Sequence, residues 1–285
     1  MSDNLFHLEA ITEVIETCIL SSFIAENVPV SIILVGPSGS AKSKILKRYG
    51  DPFIHHSDSV SQQGLIEILQ RDAKNEKKML IIPDMNPTLS RKHSTASGAV
   101  AGLLTLTNDG SVRIDDGRQD KECKHAPMGL ITACTPEIYE KNAKHWFALG
   151  LRRRIIPIFY SYSTATENDL QRLMREGKIQ TAMMPPVSLI DRIPKTVPEV
   201  NGEFAIELQN LSTQFAANLG KMSYFSKAIK RWNVVKVIPV SPHGTIRNLC
   251  RAHAMWRKAS KIGKEDISFV SSFIDFTDPE TVKKI

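Results

Sequence analysis

Val28-Pro29-Val30-Ser31-Ile32-Ile33-Leu34-Val35 runs without a break into Gly36-Pro37-Ser38-Gly39-Ser40-Ala41-Lys42-Ser43, and this stretch decides the fold. The β-branched run suits a strand buried on both faces. A glycine-rich turn follows, then Lys-Ser, with Ile45 and Leu46 placed to continue as a helix. In such a layout the backbone N–H groups of the turn point inward and cradle anionic oxygens. A lysine reaches the outer phosphates and a hydroxyl binds Mg²⁺. Gly36-x-x-x-x-Ala41-Lys42-Ser43 fits at every position but one. Ala41 stands where a glycine normally lets the backbone approach phosphate, and its methyl is tolerable if the local φ is negative. The competing reading is a chance Gly/Ser-rich turn; the apolar strand before it and the helix after it argue against that.

A phosphate-binding loop of this kind, a P-loop, needs a carboxylate at the end of a neighbouring strand to hold Mg²⁺ through water. Met79-Leu80-Ile81-Ile82-Pro83-Asp84 supplies one. The plainer reading of Asp84 is a turn residue ahead of Asn86-Pro87. The next position, where many such ATPases carry a water-polarising Glu, is Met85. Methionine has no basic group, so hydrolysis is expected to be slow or to use another residue, with Asn86, Asp115 and Asp116 as candidates.

Further strands are expected at 128–133 and 154–159, with helices at 62–74 and 97–106 between them. A helix is expected at 5–24, where Leu8, Ile11, Val14, Ile15 and Cys18 share one side. Strands alternating with helices predict an α/β fold with a parallel sheet flanked by helices. After Tyr162 the pattern changes. A helix is expected at 166–176. Residues 183–200 contain Pro185, Pro186, Pro194 and Pro198 and read as an irregular connector; Met183-Met184 at its start packs rather than binds a cofactor. Helices are then expected at 204–219, 224–232, 244–260 and 264–274. The division is an α/β nucleotide-binding domain over 1–162, a proline-containing connector over 163–202 and a mostly helical domain over 203–285.

Composition sets the outer limits. The chain has 285 residues, 42% hydrophobic and 24% charged, which excludes a wholly disordered or fibrous chain. No apolar run approaches a membrane span, and the first residues show no secretory signal. The four cysteines, Cys18, Cys123, Cys134 and Cys250, form no C-x-x-C pair and read as reduced thiols in a cytoplasmic protein. His55-His56 lacks a third ligand at metal spacing, so Mg²⁺ is the metal expected. The net charge of +7 is unevenly placed. Residues 221–264 hold eleven Lys or Arg and no Asp or Glu, which leaves 26 basic against 30 acidic residues elsewhere. Such a face attracts phosphate, from a nucleotide or a nucleic-acid backbone; the plainer alternative is a solvated surface. Tyr224, Trp232 and Trp256 lie in this stretch, where aromatics can stack bases but at helical spacing more often form core. His253, on an apolar helix face, reads as packed.

The order of these motifs resembles the AAA+ ATPase family from about Val30 to Ile274. Ala99-Val100-Ala101-Gly102-Leu103-Leu104-Thr105-Leu106-Thr107-Asn108-Asp109-Gly110 is similar to the family's helix ending in an acidic-Gly turn. Ser111-Val112-Arg113-Ile114 reads as a hairpin arm with Asp115-Asp116-Gly117-Arg118 as its turn. Gly129-Leu130-Ile131-Thr132-Ala133-Cys134-Thr135-Pro136 resembles the sensor-1 strand, with Thr135 at its polar tip. A hairpin before that strand is typical of the branch with minichromosome-maintenance helicases and MoxR-type ATPases. There its basic tip can touch DNA, and Arg118, Lys121 and Lys124 are the matching residues; Asp115, Asp116, Asp120 and Glu122 make this hairpin nearly neutral. Leu149-Gly150-Leu151-Arg152-Arg153-Arg154-Ile155-Ile156-Pro157 sits where the family carries its arginine finger. Arg154 aligns best, and Arg152 and Arg153 stay open. Ser241-Pro242-His243-Gly244-Thr245-Ile246-Arg247 resembles the opening of a lid helix, which makes Arg247 the sensor-2 cation and the C-terminal domain a lid.

The resemblance implies an ATPase that binds ATP·Mg²⁺ between subunits of a ring, a hexamer by family habit. Gly36, Pro37, Ser38, Gly39, Ser40, Ala41 and Lys42 would hold phosphate, and Ser43 and Asp84 would hold Mg²⁺. Thr135 would orient water, Arg154 would act across the interface, and Arg247 within the chain. Three roles stay open. The first is a motor or loader for DNA, touching it through 221–264 or the hairpin; the small size suggests a phage or other mobile element. The second is a MoxR-like chaperone with a protein partner. The third is an ATP-gated switch or scaffold with weak hydrolysis, because Met85 replaces the usual Glu.

Overall fold

The computed structural model describes residues 8–285 apart from 25–27, 73, 75, 116–119, 152–153, 177–184, 201, 227–230, 235–239 and 281. It gives backbone alone for 114–115, 120–121, 147–148, 170, 173–174, 222–226, 231–234, 240–241 and 283. In chain order the first part runs α1 (Glu9–Ser21), β1 (Ser31–Val35), α2 (Lys42–Leu46), β2 (Ile54–His56), α3 (Gln62–Arg71), β3 (Met79–Ile82), α4 (Asn86–Leu89), α5 (His93–Asp109), β4 (Ser111–Asp115), β5 (Asp120–Lys124), β6 (Gly129–Cys134), α6 (Pro136–Ala148) and β7 (Ile155–Ser161). The second part runs α7 (Thr164–Arg175), α8 (Ala205–Gly220), β8 (Lys221–Ser226), β9 (Arg231–Val234), α9 (Val240–Trp256), α10 (Lys264–Phe276) and β10 (Lys283–Lys284).

Five strands form a parallel sheet in the order β7-β1-β6-β3-β2, and β10 extends its β7 edge by two residues. The register pairs Val35 with both Cys134 and Phe159, and Ile82 with Thr132. The ends of β1, β6 and β3 therefore reach one level. Side chains alternate between the two faces of a strand, and each face is covered. Ile32, Leu34, Ile131, Ala133, Ile156 and Ile158 join one apolar cluster with α1, α8, α9 and α10. Ile33, Val35, Leu80, Ile82, Leu130 and Phe159 join a second cluster with α3, α5 and α6. Each such Ile or Leu, fully buried, contributes about 1.5–3 kcal/mol.

The apolar core does not divide at residue 162. Phe204, Leu208, Phe215, Leu249 and Phe273 share their cluster with sheet residues. Polar bonds add to this. Asn248 Nδ2 donates to Val28 O at 3.1 Å, and Trp256 Nε1 donates to Glu16 Oε2 at 2.7 Å. Ser188 Oγ and the Leu189 N–H both donate to the Asp51 carboxylate, at 2.6 and 2.8 Å, tying the connector to the sheet side.

Local signals explain the element ends. Ser61 caps α3 by accepting the Gly64 N–H at 3.0 Å. The α5 helix stops at Gly110, where φ is +67° and an added Cβ would lie 1.9 Å from His125 O, so only glycine fits. The expected helix at 224–232 is overturned: β8 and β9 pair as an antiparallel hairpin, with Phe225 opposite Trp232. Aromatic and β-branched residues crowd this stretch and favour a pleated pair over a helix. The side chains of Tyr224 and Trp232 lie outside the described residues. Two further strands were not expected, β2 and β10, both too short to carry a pattern of their own. Among the described residues no helix is long and apolar enough to cross a membrane, and the four cysteines are free thiols.

Candidate functional site

The loop after β1 turns back sharply over its own chain. Gly36 is pressed against the Tyr160 ring, which a Cβ would meet at 3.1 Å. The Tyr160 hydroxyl lies 3.4 Å from Ser40 Oγ, and Ser40 Oγ donates to Pro37 O at 2.8 Å. Gly39 and Ala41 both take positive φ, 81° and 59°. The sequence expectation that Ala41 is comfortable required a negative φ, and the structure does not supply it. An L-residue in the left-handed region carries roughly 1–2 kcal/mol of strain. Ala41→Gly is therefore expected to raise the unfolding free energy by about 1 kcal/mol, read as a higher denaturant midpoint; a lower midpoint would refute the strain.

Lys42 begins α2 and is buried. Its ammonium donates to Gly36 O at 2.6 Å, Pro37 O at 2.6 Å and Ser40 Oγ at 3.1 Å. Three donors meet three acceptors, so the charge sits in a closed ring of loop oxygens. Burial pushes its pKa down, and the charges of Asp84 and Glu137 are among the groups opposing that fall. One residue on, Ser43 Oγ donates to Pro83 O at 3.0 Å. This lays the hydroxyl beside the peptide that leads into Asp84. Asp84 Oδ1 accepts the Asn86 N–H at 2.9 Å and its side chain stays exposed.

Met85 is 2% exposed and packs with the sheet cluster, while its N–H donates to Ala133 O at 2.8 Å. Thr135 follows β6 and is half-buried. Its hydroxyl hydrogen-bonds the exposed Glu137 carboxylate, which is held below the ordinary range first by that bond and also by the charge of Lys42. Glu137 was not singled out in the sequence, because an acidic residue in a helix's first turn reads as a dipole partner. Burial pushes the neighbouring Cys134 thiol up to about 12, so it stays protonated.

The structure thus brings together Gly36, Pro37, Ser38, Gly39, Ser40, Ala41, Lys42, Ser43, Asp84 and Thr135 at the C-terminal ends of the sheet strands. It does not bring Arg154 or Arg247 there. Arg154 is exposed just before β7, where Ile155 pairs with Ser31 at the start of β1. With Val28, Pro29, Asn108 and Thr245 it lines a pocket of about 130 Å³. Exposed Arg247 lies on α9 between Thr245 of that pocket and Asn248, which bonds Val28 O. Both arginines are at the opposite, N-terminal ends of the strands, a β1 length or roughly 17 Å from the loop. Arg152 and Arg153 lie outside the described residues.

β4 and β5 form the expected antiparallel hairpin. Asp116, Gly117 and Arg118 of its turn lie outside the described residues, as do the side chains of Asp115 and Lys121. Lys124 is exposed, with Glu122 at 3.8 Å. In the basic stretch several cations are already engaged. Lys221 Nζ lies 2.7 Å from Asp278 and 3.2 Å from Glu280, Arg257 pairs with Asp266, and Arg251 Nε donates to Pro198 O. Among the described residues no group of three or more His, Cys, Asp or Glu converges as a metal site. His253 is 3% exposed, between Glu13 and Asp266. A scan against protein-family models finds no match for this chain, and a search of curated proteins finds none either.

Proposed function

We propose that the chain binds ATP·Mg²⁺ at the 36–43 loop and hydrolyses the γ-phosphate, as an AAA+-type ATPase whose sites are shared between copies of the chain. One observation carries the reading: a buried lysine ammonium ringed by loop oxygens, one residue before a hydroxyl that lies on the peptide leading into Asp84. Carbonyls are a poor final partner for a desolvated cation, and phosphate oxygens are a better one. The residues fit Mg²⁺. A Ser hydroxyl and one carboxylate suffice where phosphates and water complete the octahedron. When bound, the ion neutralises charge on the phosphates; Ser43 and Asp84 would hold it. The Gly39 and Ala41 backbone, with positive φ, turns N–H groups toward the anion, and Lys42 moves from the loop carbonyls to the outer phosphates.

Arg154 supports the shared site. An exposed guanidinium at the N-terminal ends of the strands is out of reach of its own loop, but it is free to meet a neighbour's γ-phosphate. In this reading Arg247, at the same end of the strands, also serves a neighbour rather than acting as a sensor within its own chain. Because the C-terminal helices share the core of the sheet, nucleotide state is transmitted by shifts of whole chains in a ring more than by an independent lid. ATP turnover measured against protein concentration tests this. Turnover per chain is expected to rise with concentration, and Arg154→Ala to cost about 10³-fold with ATP binding intact. Concentration-independent turnover that ignores Arg154→Ala sinks the shared site. DNA added to the same assay separates targets. Stimulation that fades with salt supports a DNA motor, and its absence favours a protein target.

A second reading, a switch with little hydrolysis, draws on the burial of Met85 and the strained Ala41. ATP that binds and is not turned over would favour it.

A further inference from the structure

We propose that Glu137, at the start of α6, holds the attacking water in the place left empty by Met85, an inference that rests on the nucleotide reading above. The topology puts it there. β6 lies between β1, which carries the loop, and β3, which carries Asp84. Its last residue, Cys134, is level with Val35, and Thr132 is level with Ile82. The chain leaving β6 therefore rises in the crevice between Lys42 and Asp84, and Glu137 is its first carboxylate. In open parallel sheets this crevice outside the strand ends is where ligands sit.

Three further facts agree. Met85 is buried and its N–H is bonded to β6, so no group from position 85 reaches the crevice. Glu137 is exposed, so its oxygens are free to take a water. Thr135, the polar tip of β6, hydrogen-bonds the carboxylate and favours its charged form. Thr135 is then a positioning residue acting through Glu137. Neither Asn86 nor the hairpin acids are needed.

The step balances without a co-reactant. The water oxygen bonds to the γ-phosphorus, and the bond from that phosphorus to the β,γ-bridging oxygen breaks. The electron pair leaves on ADP. Glu137 accepts the water proton and returns it to the product phosphate or to solvent. A carboxylate held below the ordinary range is a weak base, which matches a loose transition state in which orienting the water outweighs removing its proton.

The test compares wild type, Glu137→Gln and Glu137→Asp in two assays, equilibrium binding of a fluorescent ATP analogue and ATP turnover. Glu137 is exposed, so the variants fold. Glu137→Gln is expected to keep its affinity within twofold and to lose turnover about 10²–10⁴-fold, and Glu137→Asp to recover part of it. Wild-type kcat should fall with acid as the carboxylate protonates, and Glu137→Gln should lack that limb. Turnover of Glu137→Gln within threefold of wild type overturns the inference and leaves the nucleotide site standing. Wild type that binds the analogue without turnover also overturns it. Failure of wild type to bind overturns the nucleotide reading itself, and this inference with it.

Discussion

Lys42→Ala is expected to weaken ATP binding about 100-fold or more and to abolish turnover. The ammonium is the one buried cation in the loop and makes three hydrogen bonds there. Transferred to phosphate, such charge-assisted bonds are worth about 1.5–3 kcal/mol each. Losing two of them costs at least about 3 kcal/mol, and 1.4 kcal/mol is a tenfold change in affinity. Lys42→Arg is expected to fail as well, because a planar fork cannot replace a compact ammonium inside a ring this tight. Titration of a fluorescent ATP analogue reads both variants. Affinity within threefold of wild type for Lys42→Ala would falsify the phosphate-binding loop and all that is built on it.

Asp266→Ala is expected to destabilise the protein by about 3–5 kcal/mol, the usual cost of stripping one partner from a buried ion pair. Asp266 is fully buried at the first turn of α10. It lies 2.7 Å from His253 Nδ1 and accepts from Arg257 at 3.0 and 2.7 Å and from the Gly263 N–H at 2.7 Å. The other face of His253 meets Glu13 of α1 at 2.9 Å, and its ring stacks on Phe269 at 4.2 Å. One carboxylate thus anchors α9 and α10, and the imidazole extends the anchor to α1. A denaturant midpoint unchanged in Asp266→Ala would contradict this.

The same network sets a pH dependence. Burial alone would push the His253 pKa down, but hydrogen bonds to Asp266 and Glu13 outweigh it and raise the pKa above 6.5. That contribution is complete below pH 6.5 and is lost as pH rises through the folded value. Burial would push Asp266 up, but His253, Arg257 and the Gly263 N–H hold it below 3.8. Its contribution is complete above pH 3.8 and is lost as pH falls through the folded value. Stability from this cluster is greatest between those limits. The unfolding free energy of wild type is therefore expected to decline from pH 6 to 9 more steeply than that of His253→Gln.

Much of the fold was legible because its signals are short-range. An apolar run bounded by Pro29 and Gly36 marks β1 whatever packs on it, and the apolar runs of β3, β6 and β7 are short enough to read as strands in the same way. The hairpin at 111–124 and the connector after residue 183 were equally plain. The helix expected at 224–232 failed because spacing that fits a helix face hid residue types that favour a strand, and the pairing of β8 with β9 follows those types. β2 and β10 have too few residues to show a period; they exist because β3 and β7 offer them open edges.

At the site the division follows the same line. The amino-acid order by itself determined which residues form the loop and its proposed partner, because Gly36 to Ser43 and Asp84 are placed by spacing along one turn and one strand end. Tertiary structure alone decided three things. It placed Arg154 and Arg247 at the strand ends away from the loop, since strand direction, and not order in the chain, sets the end of the sheet a residue occupies. It gave Ala41 a positive φ, since closure of the loop on Tyr160 overrides the preference of the residue. And it set Glu137 within range of the Lys42 charge, since only the insertion of β6 between β1 and β3 brings toward one end of the sheet residues so far apart in sequence.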